Sequence, residues 1–183
     1  MQRIIQMVDV GCGTGAAARH AAKKVGASGY VIGVDVNSEM LNVARALPEV
    51  DGASIVWQQE NAYQLSLDDN SVDAALFTQV LQFIPEKTTA LQESRRILKT
   101  DGALFASLWS DIGDSAYFGG LVATIAHHIN PDTAAGLGAA FGLNDLGAMA
   151  SLFADAGFGN IVTETSTITL SLAYSCDTNG YRL

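Results

Sequence analysis

The stretch Asp9-Val10-Gly11-Cys12-Gly13-Thr14-Gly15 decides the fold of this 183-residue chain. It follows a short apolar run, 4–10, that suits a buried parallel strand, and it precedes an Ala-rich run, 16–25, that ends as helices do, in lysines before a glycine. A glycine-rich turn lets a ligand approach the backbone closely, and the N-terminus of the following helix offers unpaired N–H groups to an anion. The stretch therefore predicts a loop that binds the negative group of a ligand.

The order of strand and then helix repeats along the chain. The hydrophobic pattern predicts further strands at 30–35, 53–58, 72–78 and 103–109, and further helices at 37–47, 85–98 and 148–156. Right-handed crossovers between such units give an α/β, Rossmann-like, doubly wound sheet that is mostly parallel. Two β-rich runs, 160–164 and 167–172, predict a reversal that adds an antiparallel C-terminal strand at one edge.

Length and composition predict a single domain over 1–183, in which the Gly- and Ala-rich segment 113–146 is an insertion on the substrate side. A net charge of −9 disfavours nucleic acid as a partner. No apolar run approaches the roughly 20 residues that a membrane span needs, and we expect no membrane partner and a cytoplasmic location. Cys12 and Cys176 are expected to be reduced thiols, and the sequence predicts no metal site.

Two ligand classes compete for the loop. A dinucleotide is bound by the spacing GxGxxG, whereas the methionine carboxylate of S-adenosylmethionine (SAM) is bound by GxGxG. Here the third glycine is Gly15 and Ala16 follows it, so the dinucleotide spacing is met only in its small-residue variant. Asp35, at the end of the second strand, suits the ribose hydroxyls of either ligand. These residues alone leave both classes open.

Five segments in order resemble the class I SAM-dependent methyltransferases, within their UbiE-like small-molecule branch. They are the glycine-rich loop 8–15, the acidic second-strand segment 31–41, Glu60-Asn61-Ala62, the fourth-strand segment 71–86 and the segment 96–104 that enters strand five. The resemblance implies SAM as the cofactor and a small-molecule methyl acceptor. The cofactor-binding residues that it implies are Asp9, Gly11, Gly13, Gly15, Asp35, Val36, Asn61, Ala62, Thr78 and Gln79.

By the roles of the family, the glycines flank the methionine part, Asp35 binds the ribose, and Asn61 with Ala62 meets the adenine. The residues at the carboxyl end of strand four, Thr78 and Gln79, lie near the methyl donor. An indirect contact with the ligand and a role in stabilising the loop both remain open for Asp9.

The chain departs from the family pattern at several places. Asn61 stands where Asp is usual, and Gln82 and Phe83 stand where relatives often carry histidines. The N-terminal helices that help to cover the cofactor in relatives are expected to be absent.

The catalytic group is not identified by the sequence. His127 and His128, in the insertion, are weak candidates for a general base, and the predicted in-line methyl transfer depends mainly on orientation. A non-catalytic or partner-dependent SAM-binding module is the alternative function, with a homodimer as one way to cover exposed apolar surface. An NAD-dependent reductase is disfavoured because no Tyr and Lys pair occurs at helical spacing.

Overall fold

The structure, a computed structural model, describes residues 5–169. Five strands alternate with helices in chain order, except that no helix lies between the third strand and the fourth. The strands are β1 (Gln6–Val10), β2 (Tyr30–Asp35), β3 (Ser54–Gln59), β4 (Val72–Thr78) and β5 (Leu98–Ser107). The helices are α1 (Ala16–Val25), α2 (Ser38–Ala46), α3 (Lys87–Ile97), α4 (Ala116–His128), α5 (Pro131–Gly138) and α6 (Leu146–Asp155). Short 3₁₀ turns lie at Leu81–Phe83, Ile112–Asp114 and Ala139–Phe141.

The sheet has the order β3-β2-β1-β4-β5, and each neighbouring pair is parallel. The strand order changes direction between β1 and β4, so the crevice for a ligand is expected beyond the carboxyl ends of these two strands. The prediction of a Rossmann-like α/β fold is confirmed.

Helices cover both faces of the sheet. One face of β1 to β3 packs on the Ala-rich side of α1, where Ala18 and Ala22 are fully buried. The opposite face packs on α3 and α6, around a core that includes Phe77, Leu91 and Ile97. Because alanine is small, α1 lies close to the strand that leads into the glycine-rich loop, and this packing fixes where the loop stands.

The predicted antiparallel edge strand is wrong for the part of the chain that the structure describes. Residues 160–169 form no strand, and Val162 and Ile168 are 89% and 80% exposed. β-branched composition favours a strand only when a neighbouring strand and a buried face are available, and this segment has neither. The end of the second predicted run, 170–172, lies outside the described residues.

Strand β5 begins five residues earlier than the sequence predicts. Leu98 pairs with Val72, and a shift in register between Val72 and Ala74 separates this pair from the regular ladder that starts at Ala103. The Asp101-Gly102 pair has the composition of a turn, which hides the early start of the strand.

No single helix among residues 5–169 has the length and apolar character needed to cross a bilayer. The helical segments Pro131–Phe141 and Leu146–Asp155 meet those two criteria only when taken together, and they are bent by 67° relative to each other.

Candidate cofactor site

The glycine-rich loop turns sharply at the carboxyl end of β1. The amides of Gly11 and Cys12 both donate to the carbonyl of Val34, at 2.8 and 2.9 Å, which ties the loop to β2. Gly13 has φ of 54°, in the left-handed region that favours glycine, and a Cβ there would meet no atom within 4 Å. The loop therefore borders open space at Gly13, where a ligand has access to the backbone.

Helix α1 begins directly after this loop. The residue that precedes it, Gly15, has no side chain to cap the helix, and the first turn holds no acidic residue. The uncapped amides and the helix dipole therefore favour a negative group at this end. The methionine carboxylate of SAM is such a group.

Asp35 joins the loop to the end of β2. One carboxylate oxygen, Oδ2, accepts a hydrogen bond from the amide of Gly13 at 2.8 Å, and Oδ1 accepts from the amide of Asn37 at 2.8 Å. Both oxygens are oriented by backbone donors, and each keeps a lone pair for a further donor. A carboxylate held in this way is suited to accept hydrogen bonds from ribose hydroxyls.

Trp57 packs beneath the loop. A Cβ at Gly15 or at Gly33 would overlap the indole ring, so both backbones lie directly against it. The guanidinium of Arg19 stands 5.6 Å from the centre of the same ring. Trp57 is therefore a packing residue, and its ring sets the height of the loop above the sheet.

Asp9 is fully buried under the first turn of α1, and neither carboxylate oxygen makes a hydrogen bond among the described residues. Burial, with a smaller contribution from the nearby carboxylate of Asp35, raises the pKa of Asp9 to about 7. The amide of Ala18 lowers it somewhat, although it does not reach hydrogen-bond geometry. Asp9 does not line the open cleft, which disfavours direct contact with a ligand, and its role stays a prediction.

Cys12 lies inside the motif but is 8% exposed. Burial raises the pKa of its thiol to about 12, and the nearby Asp9 and Asp35 act in the same direction. Since the thiolate is the reactive form, Cys12 is a packing residue and not a nucleophile.

A cleft of about 230 Å³ opens beside the loop at the carboxyl edge of the sheet. One wall is formed by the segment that follows β3, and the facing wall by the segment that follows β4. The lining residues are Val10, Gly11, Val34, Asp35, Val36, Glu60, Asn61, Ala62, Tyr63, Val80, Phe83, Ile84 and Pro85. The structure thus brings together the predicted residues Gly11, Asp35, Val36, Asn61 and Ala62.

Asn61 shapes the wall that follows β3. Its side-chain oxygen accepts hydrogen bonds from the amides of Tyr63 and Gln64, at 2.9 and 3.0 Å, and so closes a tight turn. The side-chain amide of Asn61 makes no hydrogen bond to any residue that the structure describes, and it is available as a donor. This turn holds Ala62 and Tyr63 against the cleft.

The apolar residues of the facing wall were missed by the sequence reasoning. Val80, Phe83 and Ile84 follow β4 in a 3₁₀ turn, where helical periodicity gives no signal. Phe83 is 56% exposed, and a large exposed apolar side chain beside a glycine loop is the feature that identifies this wall.

Thr78 and Gln79 stand at the carboxyl end of β4 but do not line the cleft. Gln79 has φ of 57°, which is uncommon for a residue with a side chain, and its amide donates to the carbonyl of Ser107 at 2.9 Å. The side chain of Gln82 reaches Gln79 at 3.4 Å, and its own oxygen is buried without a partner among the described residues. Strained backbone and an unpaired acceptor thus meet beside the cleft.

The two histidines lie in the last turn of α4, outside the cleft lining. Both are exposed, and their rings contact edge to face at 4.5 Å between centroids. A role as general base for His127 or His128 stays a prediction.

A second hollow, of about 370 Å³, lies between α1, α2 and β3. Although larger, it is away from the loop, and its two arginines serve the fold. Arg19 donates to the carbonyls of Ala44 and Pro48 at the end of α2, and Arg45 donates to the carbonyl of Trp57. The bonds from Arg19 satisfy carbonyls at the end of α2, and the bond from Arg45 ties α2 to β3, so we do not assign this hollow to the cofactor.

Comparison with known proteins identifies the family. Residues 8–106 match the family model described as a methyltransferase domain, which is more than half of the chain, and the chain belongs to this family. A 2-phytyl-1,4-naphtoquinone methyltransferase from Nostoc punctiforme is 36% identical over 94 residues, which cover 50% of this chain and 41% of that protein. The ubiquinone/menaquinone biosynthesis C-methyltransferase UbiE from Hahella chejuensis is 35% identical over 100 residues, covering 54% and 40%.

A solved SAM-dependent methyltransferase from Methanosarcina mazei is 28% identical, with a TM-score of 0.52 over 61% of this chain and 55% of that one. A SAM-dependent methyltransferase from Aquifex aeolicus has a TM-score of 0.63 at 21% identity, over 84% and 71%, and shows the fold alone. The chain spans about 40% of the two quinone-related proteins.

SAM is the cofactor that this family membership assigns to the chain, and the residues present fit it. The open space at Gly13 and the uncapped start of α1 suit its carboxylate, the carboxylate of Asp35 suits its ribose, and the apolar cleft suits its adenine.

Proposed function

We propose that this chain transfers the methyl group of SAM to a small molecule that carries an apolar ring. The observation that carries the proposal is an aromatic cluster beside the methyl-donor end of the sheet. Trp109 follows β5 by two residues, and its ring lies 5.2 Å from that of Phe118 and 5.7 Å from that of Phe141. Aromatic rings pack at such distances against other flat apolar groups.

The position of this cluster supports a role in acceptor binding. The carbonyl of Ser107, the last residue of β5, accepts the hydrogen bond from Gln79, which stands at the expected methyl-donor end of β4. Trp109 is 43% exposed and Tyr117 is 60% exposed, so the cluster presents apolar surface. The names of the two quinone-related relatives favour a ring of the quinone class.

When bound, the cofactor would supply a methyl group on a positively charged sulfur. The acceptor would form its new bond to the methyl carbon in line with the carbon–sulfur bond that breaks, and the electron pair of that bond would stay on sulfur. Asp35 would hold the ribose and the loop amides would hold the carboxylate of the cofactor, so the chain contributes orientation. The apolar cleft walls and the aromatic cluster exclude water. An acceptor carbon or oxygen then loses a proton to water or to a base on the chain.

The test is a transfer assay with SAM that carries a labelled methyl group, offered with a reduced naphthoquinone that lacks the ring methyl or with arsenite. Arsenite is included because an arsenite methyltransferase from Aquipseudomonas alcaligenes is 34% identical over 110 residues, which cover 56% of this chain and 32% of that protein. We expect label in the quinol. Label in arsenite alone, or in neither, would contradict the proposed acceptor class.

A partner-dependent SAM-binding module is the second candidate. Helix α4 is largely apolar yet contains no buried residue, and Tyr117 and Ile129 are 60% and 67% exposed. Surface of this kind is often covered by another protein or by a second copy. Cofactor binding without turnover, together with dimer formation in light scattering, would favour this candidate over the enzyme.

A further inference from the structure

The wall of the cleft that follows β3 is fastened to helix α3. The guanidinium of Arg96 donates to the carbonyls of Leu65 and Leu67, at 3.1 and 2.9 Å, and to a carboxylate oxygen of Asp69 at 2.6 Å. Glu93, one turn earlier, accepts a hydrogen bond from the amide of Leu65 at 2.7 Å. Two side chains of one helix therefore hold both backbone groups of Leu65.

The two side chains also hold each other. Arg96 donates from Nε and Nη2 to the two carboxylate oxygens of Glu93, at 2.8 and 2.7 Å. This bidentate geometry is specific in direction, and it fixes both side chains on the helix surface. The guanidinium holds the pKa of Glu93 below its usual range, so the pair stays ionised near neutral pH.

The held segment continues directly into the cleft. Leu65 is 4% exposed, and it follows the tight turn that Asn61 closes through the amides of Tyr63 and Gln64. At the other end of this wall, the hydroxyl of Tyr63 accepts a hydrogen bond from the amide of Glu86, just before α3, at 3.3 Å. The facing wall, 80–85, runs into the same helix. Helix α3 thus joins both walls and sets the distance between them.

We propose that Arg96 and Glu93 are positioning residues for the adenosine half of the cofactor, because they fix where Asn61 and the residues after it stand relative to the wall 80–85. The proposal rests on the assignment of the cleft to SAM. Neither side chain lines the cleft, so each acts through the backbone of Leu65.

The matched control lies one position away on α3. Arg95 donates to the carbonyl of Leu98, at 3.3 Å, and makes no hydrogen bond to 60–70 within the described part of the chain. Arg95→Gln removes the same charge from the same helix. The experiment measures the affinity of the full chain for S-adenosylhomocysteine and for adenosine by calorimetry, well below the unfolding temperature of each variant.

We expect Arg96→Gln and Glu93→Gln each to weaken the binding of both ligands about tenfold, or about 1.4 kcal/mol, since each loses charge-assisted hydrogen bonds to the segment that forms the wall. The double variant should be little worse than either single one, because both act on Leu65. Arg96→Lys should recover part of the loss, since it restores one donor. The affinity of Arg95→Gln for both ligands should stay within about twofold of that of the wild type.

A purely structural role predicts a different pattern. Arg96→Gln would then lower the unfolding temperature but bind both ligands as Arg95→Gln does, at unchanged stoichiometry, and that result would overturn the proposal. If Arg96→Gln does not fold, Glu93→Gln and Arg96→Lys make the same comparison. A wild-type chain that binds neither ligand would instead overturn the assignment of the cleft, and with it this proposal.

Discussion

The amide of Gly13 donates a 2.8 Å hydrogen bond to Oδ2 of Asp35 and so joins the glycine-rich loop to the end of β2. The two residues are 22 positions apart in sequence. Because one carboxylate both shapes the loop and faces the cleft, the loop and the ribose site form one unit.

Replacing Asp35 by alanine should therefore lower the affinity for S-adenosylhomocysteine by at least about tenfold, because a charge-assisted acceptor is lost. Calorimetry measures this directly. Asp51→Ala, on an exposed turn, is the control and should bind as the wild type does. Equal affinity of Asp35→Ala and Asp51→Ala would show that Asp35 does not hold the ligand.

The side chain of Asn61 has two groups that can be tested separately: the oxygen that closes the turn and the amide that can donate to a ligand. Asn61→Asp keeps the oxygen that accepts from Tyr63 and Gln64, and we expect its affinity for S-adenosylhomocysteine to stay within about threefold. Asn61→Ala loses both bonds and should bind about tenfold more weakly. The reverse order in a calorimetric comparison would mean that the amide, not the turn, matters.

Packing under the loop makes Gly33 sensitive to added volume. Gly33→Ala places a methyl group in the Trp57 ring and against Sγ of Cys12, and it should lower the free energy of unfolding by about 1–3 kcal/mol. In urea denaturation, Trp57→Leu should relieve part of that loss in the double variant.

Gly136→Ala is the control, since a Cβ at Gly136 in α5 meets open space. It should stabilise the protein by up to about 1 kcal/mol. Strict additivity of Gly33→Ala and Trp57→Leu would contradict the contact between the two residues.

Asp9 should make stability depend on pH. The pKa of Asp9 is about 7 in the folded chain, against about 3.9 in an unfolded one. The stability that protonated Asp9 contributes to the folded chain is present in full below about pH 4 and is lost as pH rises through 7. Compared with Asp9→Asn, the wild type should therefore become less stable between these values, by on the order of 3 kcal/mol.

Urea denaturation of both proteins across that range measures the difference, and Asp51→Asn is the control because its side chain is exposed. A wild type that gains stability over Asp9→Asn as pH rises would show that the Asp9 anion has a partner when folded.

The elements next to the loop follow from the sequence because local patterns decide them. Helix α1 and strands β2 and β4 have the predicted bounds. Asn37 caps α2, since its side chain accepts from the amides of Glu39 and Met40. The glycines and Asp35 were identified by the same local chemistry.

Other features depend on contacts between distant residues, which one sequence does not show. The edge strand predicted for 160–164 is absent because no neighbouring strand pairs with it among the described residues. The cleft wall at Val80 and Phe83 and the links from Arg96 to Leu65 arise only when α3 packs beside the segment that follows β3.

The most direct test of the cofactor site is a crystal structure of the full chain grown with S-adenosylhomocysteine. We predict density for the adenine between Asn61–Tyr63 and Val80–Pro85, with the ribose hydroxyls on Asp35 and the carboxylate at the start of α1. Ligand density elsewhere, or an empty cleft at saturating ligand, would contradict the account.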